Sequence, residues 1–108
     1  MLQTQEIQQR FSRIEQAISQ ASQTCLTESG TPSQLKEAIE KLDRQSGLAK
    51  EVLGSQDESR IRKAVDYLEQ LGDDAEQVCM QQAKVAPKLK EQVTKVHDAL
   101  SDLKHQLH

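Results

Sequence analysis

The chain has 108 residues, a length suited to a single helical or mixed domain spanning 1–108, with 35% hydrophobic residues and a formal net charge of −3. That acidic balance supplies no basic field for nucleic acid, and no run approaches the roughly 20 apolar residues that cross a bilayer. Phe11 and Tyr67 are the only large rings, so a core must be assembled mainly from Leu, Ile, Val and Ala.

The first segment, about residues 4–27, places Ile7, Phe11, Ile14, Ile18, Ala21 and Cys25 at steps of four, three, four, three and four. Steps of this size return to one face of a helix, and the alternation of a strand is absent. Gln and Glu fill the other faces and are comfortable in helices. Gly30-Thr31-Pro32 then joins a residue that ends helices to one that starts them.

Thr31 with Gln34 three residues later has the spacing of a capping box and predicts a second helix over about 32–54. Its stripe is Leu35, Ile39, Leu42, Ala49 and Leu53, with Ser46 in the gap; Gly47 beside it predicts a bend or close packing. Gly54-Ser55-Gln56-Asp57 ends that helix, and Ser55 or Asp57 caps a third over about 57–83. The third stripe holds Ile61, Val65, Leu68, Ala75 and Cys79, flanked by Ala64, Leu71 and Val78. Gly72 lies on it and admits two readings. Either it ends one helix and Asp73 caps another, or the helix runs through and Gly72 permits a close helix contact.

The fourth segment, 87–107, has the cleanest pattern: Leu89, Val93, Val96, Leu100, Leu103 and Leu107, again at steps of four and three. Pro87 suits a first helical turn, and Ala86 before it is biased away from helical geometry. The connection Gln82–Ala86 contains no Gly, Asn, Asp or Ser, however, which leaves one long kinked helix from Asp73 to Leu107 as the alternative. Length separates the two. Four helices of roughly 22 to 27 residues are matched at about 33 to 40 Å, whereas the long helix, at about 52 Å, outruns its neighbours. The preferred fold is therefore all-α, an antiparallel up-down four-helix bundle; the alternative is a three-helix bundle with the long C-terminal helix.

Chemistry-bearing residues are few. His97, His105 and His108 all fall in the last segment, and Asp102, His105 and His108 are spaced to share a helix face, as a surface metal site would require. By heptad position His105 points outward and His97 flanks the seam, so the solvated reading of the C-terminal turn is favoured and no metal, cofactor or catalytic residue is assigned. Cys25 and Cys79 occupy core positions and read as buried reduced thiols at similar heights on parallel helices. Lys84, Lys88, Lys90 and Lys95 make a local basic cluster that reads as a solvated face. The start of the sequence has neither a basic nor an apolar leader-like region, and two distant cysteines do not make a disulfide scaffold; both point to the cytoplasm. The expected function is that of a small non-enzymatic bundle mediating protein–protein interaction or self-assembly: an adaptor, assembly factor or chaperone-like protein. Its partner is a protein, with a homodimer among the expectations and neither nucleic acid nor membrane. The alternative is a metal- or ligand-binding regulatory bundle that uses the C-terminal histidines.

Overall fold

The computed structural model describes residues 4–82 and 84–107. Among them are four helices and no strand: α1 (Thr4–Thr27), α2 (Ser33–Leu53), α3 (Glu58–Gln81) and α4 (Pro87–Leu107). α1 packs on α2 and α4, and α3 packs on α2 and α4, so α1 and α3 lie diagonally across the bundle. No helix among the described residues is long and apolar enough to cross a membrane.

All six residues of each apolar stripe in α1 and α4 are buried, as are the predicted stripe residues of α2 and α3. They divide into two layers along the bundle axis. Ile7 to Ile18, Leu42 to Leu53, Ile61 to Leu71 and Val96 to Leu107 contribute to one, which pairs helix starts with helix ends. Ala21, Cys25, Leu35, Ile39, Ala75, Cys79, Leu89 and Val93 contribute to the other. This exchange of halves between successive helices is the signature of up-down-up-down topology. The longest dimension of the bundle is 41 Å, consistent with matched helices of this length.

Three boundaries show how the chain turns. Gly30 takes a φ of +86°, a left-handed geometry that costs an L side chain roughly 1 kcal/mol or more, and so closes α1. Thr31 does not cap α2: Pro32 holds the N-cap position, and the Thr31 hydroxyl instead donates back to the Glu28 carbonyl at 3.0 Å. Asp57 rather than Ser55 caps α3, its carboxylate accepting from the Arg60 amide at 3.2 Å, while the Ser55 hydroxyl donates to the Val52 carbonyl.

The α3–α4 junction turns without a glycine. Gln82 leaves α3 in extended geometry (φ −102°, ψ 121°), one residue short of the expected boundary at position 83, which lies outside the described residues. Val85 is buried against the second core layer, which ties the connection down, and the Lys90 amide donates to the Ala86 carbonyl to open α4. The long kinked helix is therefore excluded. Burial of Val85 and the restriction that Pro87 places on Ala86 supply the turn that loop composition did not announce.

Both central glycines sit inside unbroken helices, with opposite surroundings. Gly47 is exposed, and a Cβ built there meets nothing within 4 Å, so the close packing expected at this position is absent. Replacing Gly47 with Ala is expected to stabilise the fold by about 0.8–1 kcal/mol, the helix-propensity difference, as read from equilibrium urea unfolding. At Gly72, by contrast, a Cβ would lie 3.3 Å from Leu100 Cδ1 and 3.6 Å from the His97 Cα. The close-contact reading of Gly72 holds, and the α4 residues it faces are His97 and Leu100.

Candidate functional site

Where α4 crosses Gly72, the α3 side chains on either side of that glycine surround the imidazole of His97. Glu69, Asp73 and Glu76 follow one another at steps of four and three, a single stripe of α3 adjoining the core stripe. Glu69 Oε1 and Asp73 Oδ1 each lie 3.6 Å from His97 Nε2. On the other side of the ring, Glu76 Oε2 is 3.2 Å and Asp98 Oδ1 4.0 Å from Nδ1. The second oxygen of Glu69 faces the Lys104 ammonium at 3.7 Å. The His97 side chain is 18% exposed, and its Nδ1 atom is sealed from solvent with no hydrogen-bond partner. The 3.2 Å approach of Glu76 is within hydrogen-bonding distance, yet no hydrogen bond forms there. One ligand-type atom each from Glu76, His97 and Asp98 fall within 4.8 Å of one another, and they form the group among the described residues that could hold a metal ion.

The residues weighed from the sequence for metal binding are placed differently. Asp102 turns toward α1, where Arg10 Nη1 approaches its carboxylate at 3.6 Å, and His105 is exposed. His108 lies outside the described residues. His97, marked only as flanking the seam, is the histidine with acidic neighbours. The missed residues are Glu69, Asp73 and Glu76; their shared stripe was visible, but the histidine facing it belongs to another helix.

The two thiols lie where the stripes put them. Cys25 and Cys79 are both buried in the second core layer, unpaired. Burial pushes both thiols up, and Cys79, further raised by the proximity of Cys25, goes from its ordinary 9.0 to about 11. The sign of the resulting pH dependence follows. Between about pH 9 and 11 the unfolded chain loses a proton that folded Cys79 retains, so stability falls as pH rises through that window; below it both states are protonated and the contribution is fully present. The melting temperature is expected to decline over this range, and Cys79→Ala is expected to flatten part of the slope.

The four lysines do not act as one patch. Lys88 and Lys95 border the cleft between α1 and α4, beside Gln20 and Gln92, and Lys95 also pairs with Glu91 at 3.3 Å. Lys90 instead lies on the α3 side, near enough to Cys79 to counter the rise of its pKa.

A second surface feature lies between α2 and α3. Leu48 and Tyr67 are 61% and 43% exposed, and with Val52, Ala64 and Gln45 they line a shallow groove of about 150 Å³. Lys41, seven residues before Leu48, and Asp74, seven after Tyr67, are exposed on the same helix stripes. No protein family, curated protein or solved structure matches the chain.

Proposed function

We propose that this chain is a small non-enzymatic interaction module of the cytoplasm, and that its α2/α3 groove receives the apolar face of a helix from another protein. The observation that carries this reading is that two exposed apolar side chains on adjacent helices share one groove, whereas exposed Leu26 and Met80 lie at the ends of α1 and α3. The α4 seam is wholly used inside the chain: Leu89, Val93, Val96, Leu100, Leu103 and Leu107 are all buried. Leu48 and Tyr67 stay outside on adjacent helices, with Val52 and Ala64 between them. At about 150 Å³ the groove is well below the roughly 300–1,000 Å³ typical of small-molecule sites, but it accommodates a side chain or two from a docked helix. Lys41 and Asp74, about 10 Å further along the same two helices, give a longer partner helix charges of both signs to pair with, which favours a protein over a nucleic acid or lipid surface.

The reading is tested by placing a photo-crosslinking residue at position 48 in the cells that make the protein. Capture of one defined partner is expected, weakened by Tyr67→Ala and absent from a crosslinker at exposed Gln9 on α1. Equal capture from both positions, or capture of a second copy of the chain alone, contradicts the proposal. The alternative, a metal-binding bundle built on the C-terminal histidines, has its support at His97.

A further inference from the structure

We propose that Glu76, His97 and Asp98 form a binding site for a divalent transition-metal ion of the zinc type, supported from behind by Glu69 and Asp73. The site is on the α3/α4 side of the bundle and is independent of the α2/α3 groove.

The argument begins with the two nitrogens of one ring. A metal-binding imidazole must present an unprotonated nitrogen to the ion and carry its proton on the other, usually facing a carboxylate. His97 can take this polarity. Glu69 Oε1 and Asp73 Oδ1 flank Nε2 at 3.6 Å and stand ready to accept its proton once a cation occupies Nδ1, with Lys104 in turn facing the other Glu69 oxygen. Nδ1 is left buried and without a hydrogen-bond partner, although it faces Glu76 and Asp98. A sealed polar atom with no partner carries an uncompensated desolvation penalty. A bound cation removes that penalty by taking the lone pair.

Distances fit the same ion. Zinc bonds of roughly 2.0–2.2 Å to nitrogen and oxygen place tetrahedral donors about 3.4 Å apart. Nδ1 and Glu76 Oε2 stand at 3.2 Å, so that pair is already set. Asp98 Oδ1, at 4.0 Å from Nδ1 and within 4.8 Å of the Glu76 ligand atom, must close by about half an ångström or more to reach that spacing, and its 74% exposure leaves it free to rotate. One nitrogen and two carboxylate donors suit a first-row transition ion better than Mg²⁺ or Ca²⁺, which take oxygen ligands. The surrounding carboxylates also concentrate cations at the site. Three protein ligands leave a coordination position for water. Gly72 lets α4 approach α3 here, because a Cβ there would be tight against Leu100 Cδ1 and would already touch the His97 Cα.

The test uses the full, untagged chain after chelator treatment and removal of the chelator. Isothermal titration with Zn²⁺ alone is expected to show one ion per chain, the melting temperature to rise with Zn²⁺ concentration, and Co²⁺ to give visible d–d absorption. His97→Ala, Glu76→Gln and Asp98→Asn are each expected to weaken binding at least tenfold, and Glu69→Gln by about 10- to 100-fold as a supporting carboxylate. His105→Ala is expected to change nothing. Because Asp98 is exposed, Asp98→Asn keeps the test valid even if His97→Ala unfolds the protein. The absence of saturable Zn²⁺ binding up to millimolar concentration overturns the proposal. So does binding that survives Asp98→Asn and Glu76→Gln but is lost in His105→Ala.

Discussion

Phe11→Ala is expected to lower the unfolding free energy by about 3–5 kcal/mol, a large share of the roughly 5–15 kcal/mol that holds a domain of this size together. Phe11 is the largest fully buried side chain, 2% exposed, and the only phenylalanine in the sequence. It faces the first core layer together with Ile7, Ile14, Leu53 and Leu107, residues drawn from three helices. Most of the other large core residues are aliphatic, and none nearby can extend to fill the volume of a ring. The truncation therefore removes buried area and leaves a cavity as well. Phe11→Leu, which retains most of the volume, is expected to cost about 1.5 kcal/mol or less. Urea unfolding of the two variants against the parent measures the difference, and equal midpoints for Phe11→Ala and the parent would contradict the packing described.

Gly72→Leu is expected to destabilise by about 1–3 kcal/mol or more, although leucine is the better helix former. Even the first carbon of a side chain meets Leu100 Cδ1 at 3.3 Å and lies 3.6 Å from the His97 Cα. Leu100 can yield a little by changing rotamer, but the His97 contact is to backbone and does not. The bulk of a leucine must push α4 away from α3. That displacement would also part Glu76 from His97, so the variant is expected to lose Zn²⁺ binding along with stability. Gly72→Ala separates the two effects. Its propensity gain of about 1 kcal/mol works against one tight contact, and its unfolding midpoint should stay closer to the parent. Gly47→Ala, on the exposed side of α2, has the gain without the contact.

These two glycines show what a lone sequence makes legible. The four apolar stripes were readable because steps of four and three name the buried face of a helix whatever it packs against, and the stripe residues are buried as expected. The close α3/α4 approach was readable at Gly72 as one of two alternatives, since a glycine on a core stripe has a packing use. Of the two expectations at Gly47, a bend or close packing, the second does not hold, since a Cβ there meets nothing within 4 Å. Ser46, not Gly47, is the buried one, its hydroxyl satisfied by the Asp43 carbonyl at 2.7 Å. Thr31 had the spacing of a capping residue, but Pro32 occupies the N-cap position and turns the threonine back toward α1. The turn before Pro87 depends on the burial of Val85, a contact with the core that loop composition does not encode.

The acidic pocket around His97 was the least legible part. Glu69, Asp73 and Glu76 on one α3 stripe are a common solvated pattern when α3 is read alone. Their meaning depends on which residue of α4 crosses Gly72, and that is fixed by the antiparallel register of the bundle. Spacing within the last segment drew attention to Asp102, His105 and His108, but Asp102 faces Arg10 of α1, His105 is exposed and His108 lies outside the described residues. The groove at Leu48 and Tyr67 was hidden for a similar reason: neither residue lies on a predicted stripe, and only the pairing of α2 with α3 puts them side by side.

Everything described at the α3/α4 surface depends on the chain turning back before Pro87. The most direct test is a distance between spin labels at exposed Glu58, where α3 begins, and exposed Gln106, where α4 ends, with both buried thiols replaced. Antiparallel α3 and α4 predict a separation of the order of the bundle's 20 Å width, extended only by the label arms. A continuous α3–α4 helix would separate the same sites by about 70 Å. A distribution centred beyond the 41 Å length of the bundle would contradict the turn, the closed seam and the pocket together.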